Sequence, residues 1–133
     1  MDKQLKQHIL YWENAALKDW RTAEDLFKTK HYDACLFFCH LTLEKQLKGL
    51  VVKNRQQAAP YLHNLEKLAE LADLEFTLEQ RNNFREITKF NIAGRYGDIK
   101  RNLYKLADRS YTENYLNITK RLFLWLKKQY QKN

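Results

Sequence analysis

Apolar residues recur at helical spacing from Lys3 to about Lys28, where Leu5, Ile9, Trp12, Ala16, Ala23 and Phe27 fall on one stripe. Asp19 lies at the edge of the same stripe, so its carboxylate needs a partner, because an unpaired buried charge is costly. Lys45 and Lys48 are the cations expected to supply it. A second long helix is expected from about Tyr32 to Lys53. Tyr32, Leu36, Cys39, Leu43, Leu47 and Leu50 make its main stripe, while Phe37, Phe38 and Leu41 add a second apolar side over its first half. A helix apolar on two sides is central to a bundle, or is shared between a core and a subunit interface. A dimer is therefore expected.

Asn54 to Pro60 reads as a polar connection ending in the one proline. A shorter helix over about Asn64 to Asp73 presents Leu65, Leu68 and Ala72. Thr77 and Gln80 then form a capping-box pattern for a helix running to about Ile92, with Phe84, Ile87 and Asn91 on one side. Gly94 and Gly97 interrupt it, so Arg95-Tyr96-Gly97-Asp98 is expected to be a loop. Ile99 to Arg109 fits either a short helix or an extended connection. Ser110 and Glu113 offer a second capping-box pattern before a last helix over about Thr112 to Tyr130, with Tyr115, Ile118, Leu122, Trp125 and Leu126 as its stripe.

The composition agrees with long helices. Three glycines and one proline leave few tight turns, and 14% aromatic residues supply a substantial core. Residues 1–133 are expected to form one helical domain, since 133 residues without an internal repeat or composition break suit a single core. No apolar run approaches the roughly 18–20 residues of a membrane span, and the polar start lacks the apolar core of a signal peptide. No membrane association is expected. Cys35 and Cys39, one helical turn apart, are poorly placed for an intrahelical disulfide, which fits a reduced cytoplasmic setting.

The net charge of +8 is unevenly spread: residues 1–80 hold 11 Lys and Arg against 12 Asp and Glu, whereas residues 81–133 hold 13 against 4. Such asymmetry marks either a surface for phosphate or an acidic partner, or a solvated helix face. His31, Cys35 and Cys39 fall at i, i+4 and i+8, a spacing that can share a metal. Without an evident fourth ligand they read instead as packing residues, so neither a metal site nor a cofactor is expected. No serine or cysteine has a nucleophile's setting, and no glycine-rich phosphate loop is present.

Two stretches carry a resemblance to a known family: Glu44-Lys45-Gln46-Leu47-Lys48 in the second helix, and Arg95-Tyr96-Gly97-Asp98 after the fourth. With Trp12, Ala16, Asp19 and Ala23 before them, and Tyr32, Ala34 and His63-Asn64-Leu65 in order, the chain resembles a HEPN domain. Glycine stands at Gly97 where one branch of that family has proline. The resemblance implies an antiparallel bundle of four main helices plus a short fifth, assembled as a homodimer. It also implies pairing with a small nucleotidyltransferase, often in a toxin–antitoxin-like system, and association with nucleotide or RNA.

Ribonuclease members of that family use an arginine followed by a histidine after four to six intervening residues. The last histidine here is His63; Arg55 precedes it by seven intervening residues, and Lys100, Arg101 and Asn102 stand where a histidine following Arg95 would fall. Histidine suits proton transfer near neutral pH, whereas lysine and arginine bind phosphate but are poor bases. The expected role is accordingly a binding module, with a divergent ribonuclease using Arg95 as the alternative. The ligand-binding candidates are Glu44, Lys45, Lys48, Arg95, Tyr96, Asp98, Lys100 and Arg101. Each has a plainer reading: Arg95 pinning its loop through an acid, Tyr96 as a packing anchor, and Glu44, Lys45 and Lys48 as a salt-bridge array between helices.

Overall fold

A computed structural model describes residues 2–93 and 97–132; for residues 92, 93, 99 and 100 it describes the backbone alone. Six helices follow one another: α1 (Lys3–Lys28), α2 (Tyr32–Arg55), α3 (Leu65–Leu71), α4 (Leu78–Ala93), α5 (Gly97–Leu106) and α6 (Arg109–Gln129). The described residues contain no strand.

Helix α2 is the axis of the bundle. All five other helices touch it, α1 most extensively. Between Thr42 and Val52 every residue except Lys45 is buried. This is the two-sided helix expected from the sequence, although Phe37, Phe38 and Leu41 stay half-buried at its start. Contacts fix the directions of the helices. Trp12 faces Gly49, Asp19 faces Lys45, and Phe27 meets Tyr32 at 5.7 Å between ring centres, so α1 and α2 are antiparallel. Trp20 stacks on Phe123 at 5.6 Å, and Arg109 lies over Phe27, which sets α6 antiparallel to α1. The four long helices thus form the antiparallel all-α bundle expected from the sequence. Of the region 99–109, open between helix and extended chain in sequence, residues 99–106 are helical, and the bundle has two short helices, α3 and α5.

Helix ends follow from local chemistry. The expected capping box is present: Thr77 N donates to Gln80 Oε1 at 2.9 Å, and Gln80 N donates to Thr77 Oγ1 at 3.1 Å. Asn64 caps α3 through Lys67 N. At α6 the cap differs from expectation. Asp108, not Ser110, accepts from Tyr111 N at 2.8 Å, so the helix begins at Arg109, earlier than the Ser110–Glu113 pattern implied. An aspartate serves as well as serine at an N-cap and adds a favourable charge at the dipole's positive end. Gly97 and Asp98, expected in a loop, stand in the first turn of α5. Between α3 and α4, Glu66 accepts from both Arg81 and Arg85 and ties the short helix to its neighbour.

Candidate functional site

The Glu44-Lys45-Gln46-Leu47-Lys48 stretch lies mid-way along α2, against α1 on one side and the α2–α3 connection on the other. Helical spacing assigns each residue a different direction. Leu47 enters the core with no exposed surface. Lys45 reaches across to α1, where its Nζ comes within 2.6 Å of Asp19 Oδ2. Lys45 is thus the partner that buried Asp19 requires.

Glu44 is the centre of a polar network. Its carboxylate accepts from Lys48 Nζ at 3.3 Å and from His63 Nδ1 at 2.7 Å, with His40 Nε2 at 3.7 Å. Both Glu44 and Lys48 are over 90% buried, and the Lys48 ammonium sits 5.6 Å from the Trp12 ring centre, where the ring face adds attraction for the cation. His40 is fully buried, and its Nε2 lies 2.9 Å from the His63 carbonyl oxygen. A carbonyl only accepts, so His40 Nε2 carries the proton and donates it. The connection between α2 and α3 is therefore clamped to α2 twice, through the His63 main chain and through its imidazole.

Burial pushes the His40 pKa down, an effect opposed by the hydrogen bond to His63 and by the Glu44 charge. The groups facing it are Glu44 and Lys48 of its own helix and His63 of the connection. A histidine held below its unfolded pKa binds fewer protons folded than unfolded. Its contribution to stability is therefore complete above about pH 6.5 and falls as pH drops through the folded value. Glu66 behaves likewise lower on the scale. Its hydrogen bonds from Arg85 and Arg81 bring its pKa down to about 2, so their stabilising effect is complete above the ordinary carboxylate range and is lost only as pH falls toward 2. Urea denaturation at a series of pH values is expected to show stability falling from pH 7 to 5, and this first decline is expected to flatten in His40→Gln.

These positions resolve part of what the sequence left open. Lys45 pairs with Asp19 across to α1, while Glu44 and Lys48 pair within α2. Both Glu44 and Lys48 are buried. Asp98 and Arg101 form an ion pair one turn apart on the exposed face of α5. Arg95 and Tyr96 lie outside the described residues, and Lys100 is placed in α5 by its backbone alone. His40 and His63 are the members of the network that sequence patterning missed. His40, Glu44 and Lys48 do repeat every four residues, a spacing visible in the chain, but His63 joins only through tertiary structure.

The two cysteines lie in the core. Cys35 and Cys39 are fully buried free thiols, and the hydrogen bond that the Cys39 thiol donates to Cys35, with burial, holds the Cys39 pKa well above its ordinary value. No group of three or more His, Cys, Asp or Glu among the described residues is arranged to hold a metal. No helix among them is long and apolar enough to cross a membrane.

A family model described as HEPN domain matches residues 9–129. Among solved structures, TT1696 from Thermus thermophilus is similar, with a TM-score of 0.74 and 20% identity over 90% of this chain and 96% of that one. A likeness at that identity concerns the fold. Comparison with curated proteins gave no match.

Proposed function

The chain belongs to the HEPN domain family, and on that premise we propose that it is a homodimeric, non-enzymatic module that binds nucleotide or RNA. In this reading it is a single cytoplasmic domain that works with a small nucleotidyltransferase in a toxin–antitoxin-like pair. The observation that carries the binding role is the distribution of unpaired positive charge. Residues 81–133 hold 13 Lys and Arg against 4 Asp and Glu. On α6, Lys120, Arg121 and Lys128 are exposed and form no ion pair among the described residues. The cations of α4, by contrast, are matched by acids: Arg81 and Arg85 by Glu66, and Lys89 by Glu86.

Arg95, Lys100 and Arg101 are the groups assigned to phosphate, with Tyr96 beside them for a base and Asp98 setting the Arg101 side chain. A guanidinium fork matches phosphate oxygens in geometry as well as charge. Glu44, Lys45 and Lys48 enter this reading indirectly. Paired within the bundle, they hold α1, α2 and the α2–α3 connection in register.

Phosphate binding of this kind is electrostatic and salt-dependent. Anisotropy titrations of a labelled single-stranded RNA at several salt concentrations test it, with wild type compared against Arg121→Glu/Lys128→Glu. These two residues are seven apart and share a face of α6. The variant is expected to bind more weakly, and its log–log salt slope to be shallower by about 0.7 for each phosphate that is no longer neutralised. Equal affinity and equal slope would remove α6 from the binding surface.

A further inference from the structure

Helices α1 and α6 both pack on α2 and leave a small groove between them, with a volume of about 100 Å³. Glu13 and Asn14 of α1, Gln46 of α2, and Phe123, Lys127 and Tyr130 at the α6 end line it. Its polar groups are unevenly satisfied. Gln46 is 3% exposed, and its Nε2 donates to the Phe123 carbonyl at 3.0 Å, which fixes the amide orientation: turning it over would set oxygen against oxygen. Gln46 Oε1 is then a buried acceptor with no donor. The Tyr130 hydroxyl does not supply one, because it donates to the Gln46 main-chain oxygen at 2.5 Å.

Glu13 is the second acceptor. It is half-buried, and among the described residues its carboxylate has no close ion-pair contact; Lys127 acts on it only at longer range. Burial pushes the Glu13 pKa up, and Lys127 offsets this only in part. A buried acceptor without a donor and a carboxylate without a close cation, at one groove, call for the same thing: an N–H donor carrying positive charge. The volume matches about three waters, room for an ammonium head and about one or two methylenes.

We propose that the α1–α6 groove is a binding site for a small primary ammonium ion, whose N–H groups donate to the Glu13 carboxylate and Gln46 Oε1. Lys127 sits on the rim as the competing cation. None of the residues lining the groove is among those assigned to phosphate, and the groove takes ligands of the opposite charge.

The test is an NMR titration of the ¹⁵N-labelled full chain with methylammonium chloride, read at the Gln46 side-chain amide, with tetramethylammonium chloride as the matched cation lacking N–H donors. The expected result is a saturable shift with methylammonium and none with tetramethylammonium. Glu13→Gln should weaken the binding about tenfold, the equivalent of one charged hydrogen bond, while Lys127→Met should strengthen it. Each variant is first checked for a retained amide spectrum. Because the two substitutions are expected to act in opposite directions, general loosening of the fold cannot mimic the pattern. No saturable shift, an equal response to tetramethylammonium, or affinity unchanged in both variants would overturn the proposal.

Discussion

Glu44→Ala is expected to destabilise the protein by about 3–5 kcal/mol, the range for removing one partner of a buried ion pair. The cost arises less from the lost attraction than from what remains. Lys48 is 6% exposed, and without Glu44 its ammonium keeps, among the described residues, the Trp12 ring face as compensation. His63 loses the acceptor for its Nδ1 proton, and one of the two clamps on the α2–α3 connection goes with it. Urea denaturation of the purified variant measures the effect. The double variant Glu44→Leu/Lys48→Met should be more stable than Glu44→Ala, because it leaves no buried charge stranded. A single variant as stable as wild type would mean that the network contributes nothing to holding α2 and the connection together.

Gly49→Ala is expected to cost about 2–4 kcal/mol, near the upper end for overpacking with a displaced hydrogen bond added. A methyl group at Gly49 would sit 3.0 Å from Trp12 Cβ and collide with the Tyr130 hydroxyl. That hydroxyl donates to the Gln46 carbonyl oxygen, so moving it breaks the hydrogen bond that seals the end of α6 onto α2. The glycine is therefore required by close approach between helices and not by an unusual backbone angle. Tyr130→Phe removes the colliding atom. Combined with Gly49→Ala it should cost less than the sum of the two single changes, and thermal denaturation of all four proteins gives the coupling. Strict additivity would place the strain at Trp12 alone.

The helices were legible in the sequence because their signals are local. The stripe Trp12–Ala16–Ala23, the Thr77–Gln80 capping box and the Phe84–Ile87–Asn91 face all depend on residues within a few turns of one another. Asp19's need for a cation was legible for the same reason, and Lys45 meets it. What escaped was nonlocal or competed with an equally good local choice. Asp108 capped α6 because it lay ahead of the Ser110 pattern and satisfies the same kind of N–H groups. Gly97 and Asp98 joined α5 because a glycine at a helix start costs less than one in its interior. Glu44 and Lys48 read as ligand candidates or as salt-bridge residues, with nothing local to say how deeply they are buried. Their burial depends on His63, nineteen residues beyond Glu44, which no periodicity connects to them. For the candidate site, Glu44, Lys45 and Lys48 of α2 all have ion-pair partners in the fold, while Arg95 and Tyr96 lie outside the described residues.

The central claim is that this module binds RNA without cutting it, and the direct measurement follows binding and integrity of one end-labelled RNA in the same samples. Wild type and Arg95→Ala are incubated with it, each checked for folding by circular dichroism. Intact RNA after prolonged incubation, with weaker binding by Arg95→Ala, is the predicted result. RNA cleaved by wild type and spared by a folded Arg95→Ala would contradict it, and would make the chain a ribonuclease that works without the arginine–histidine pair of its family.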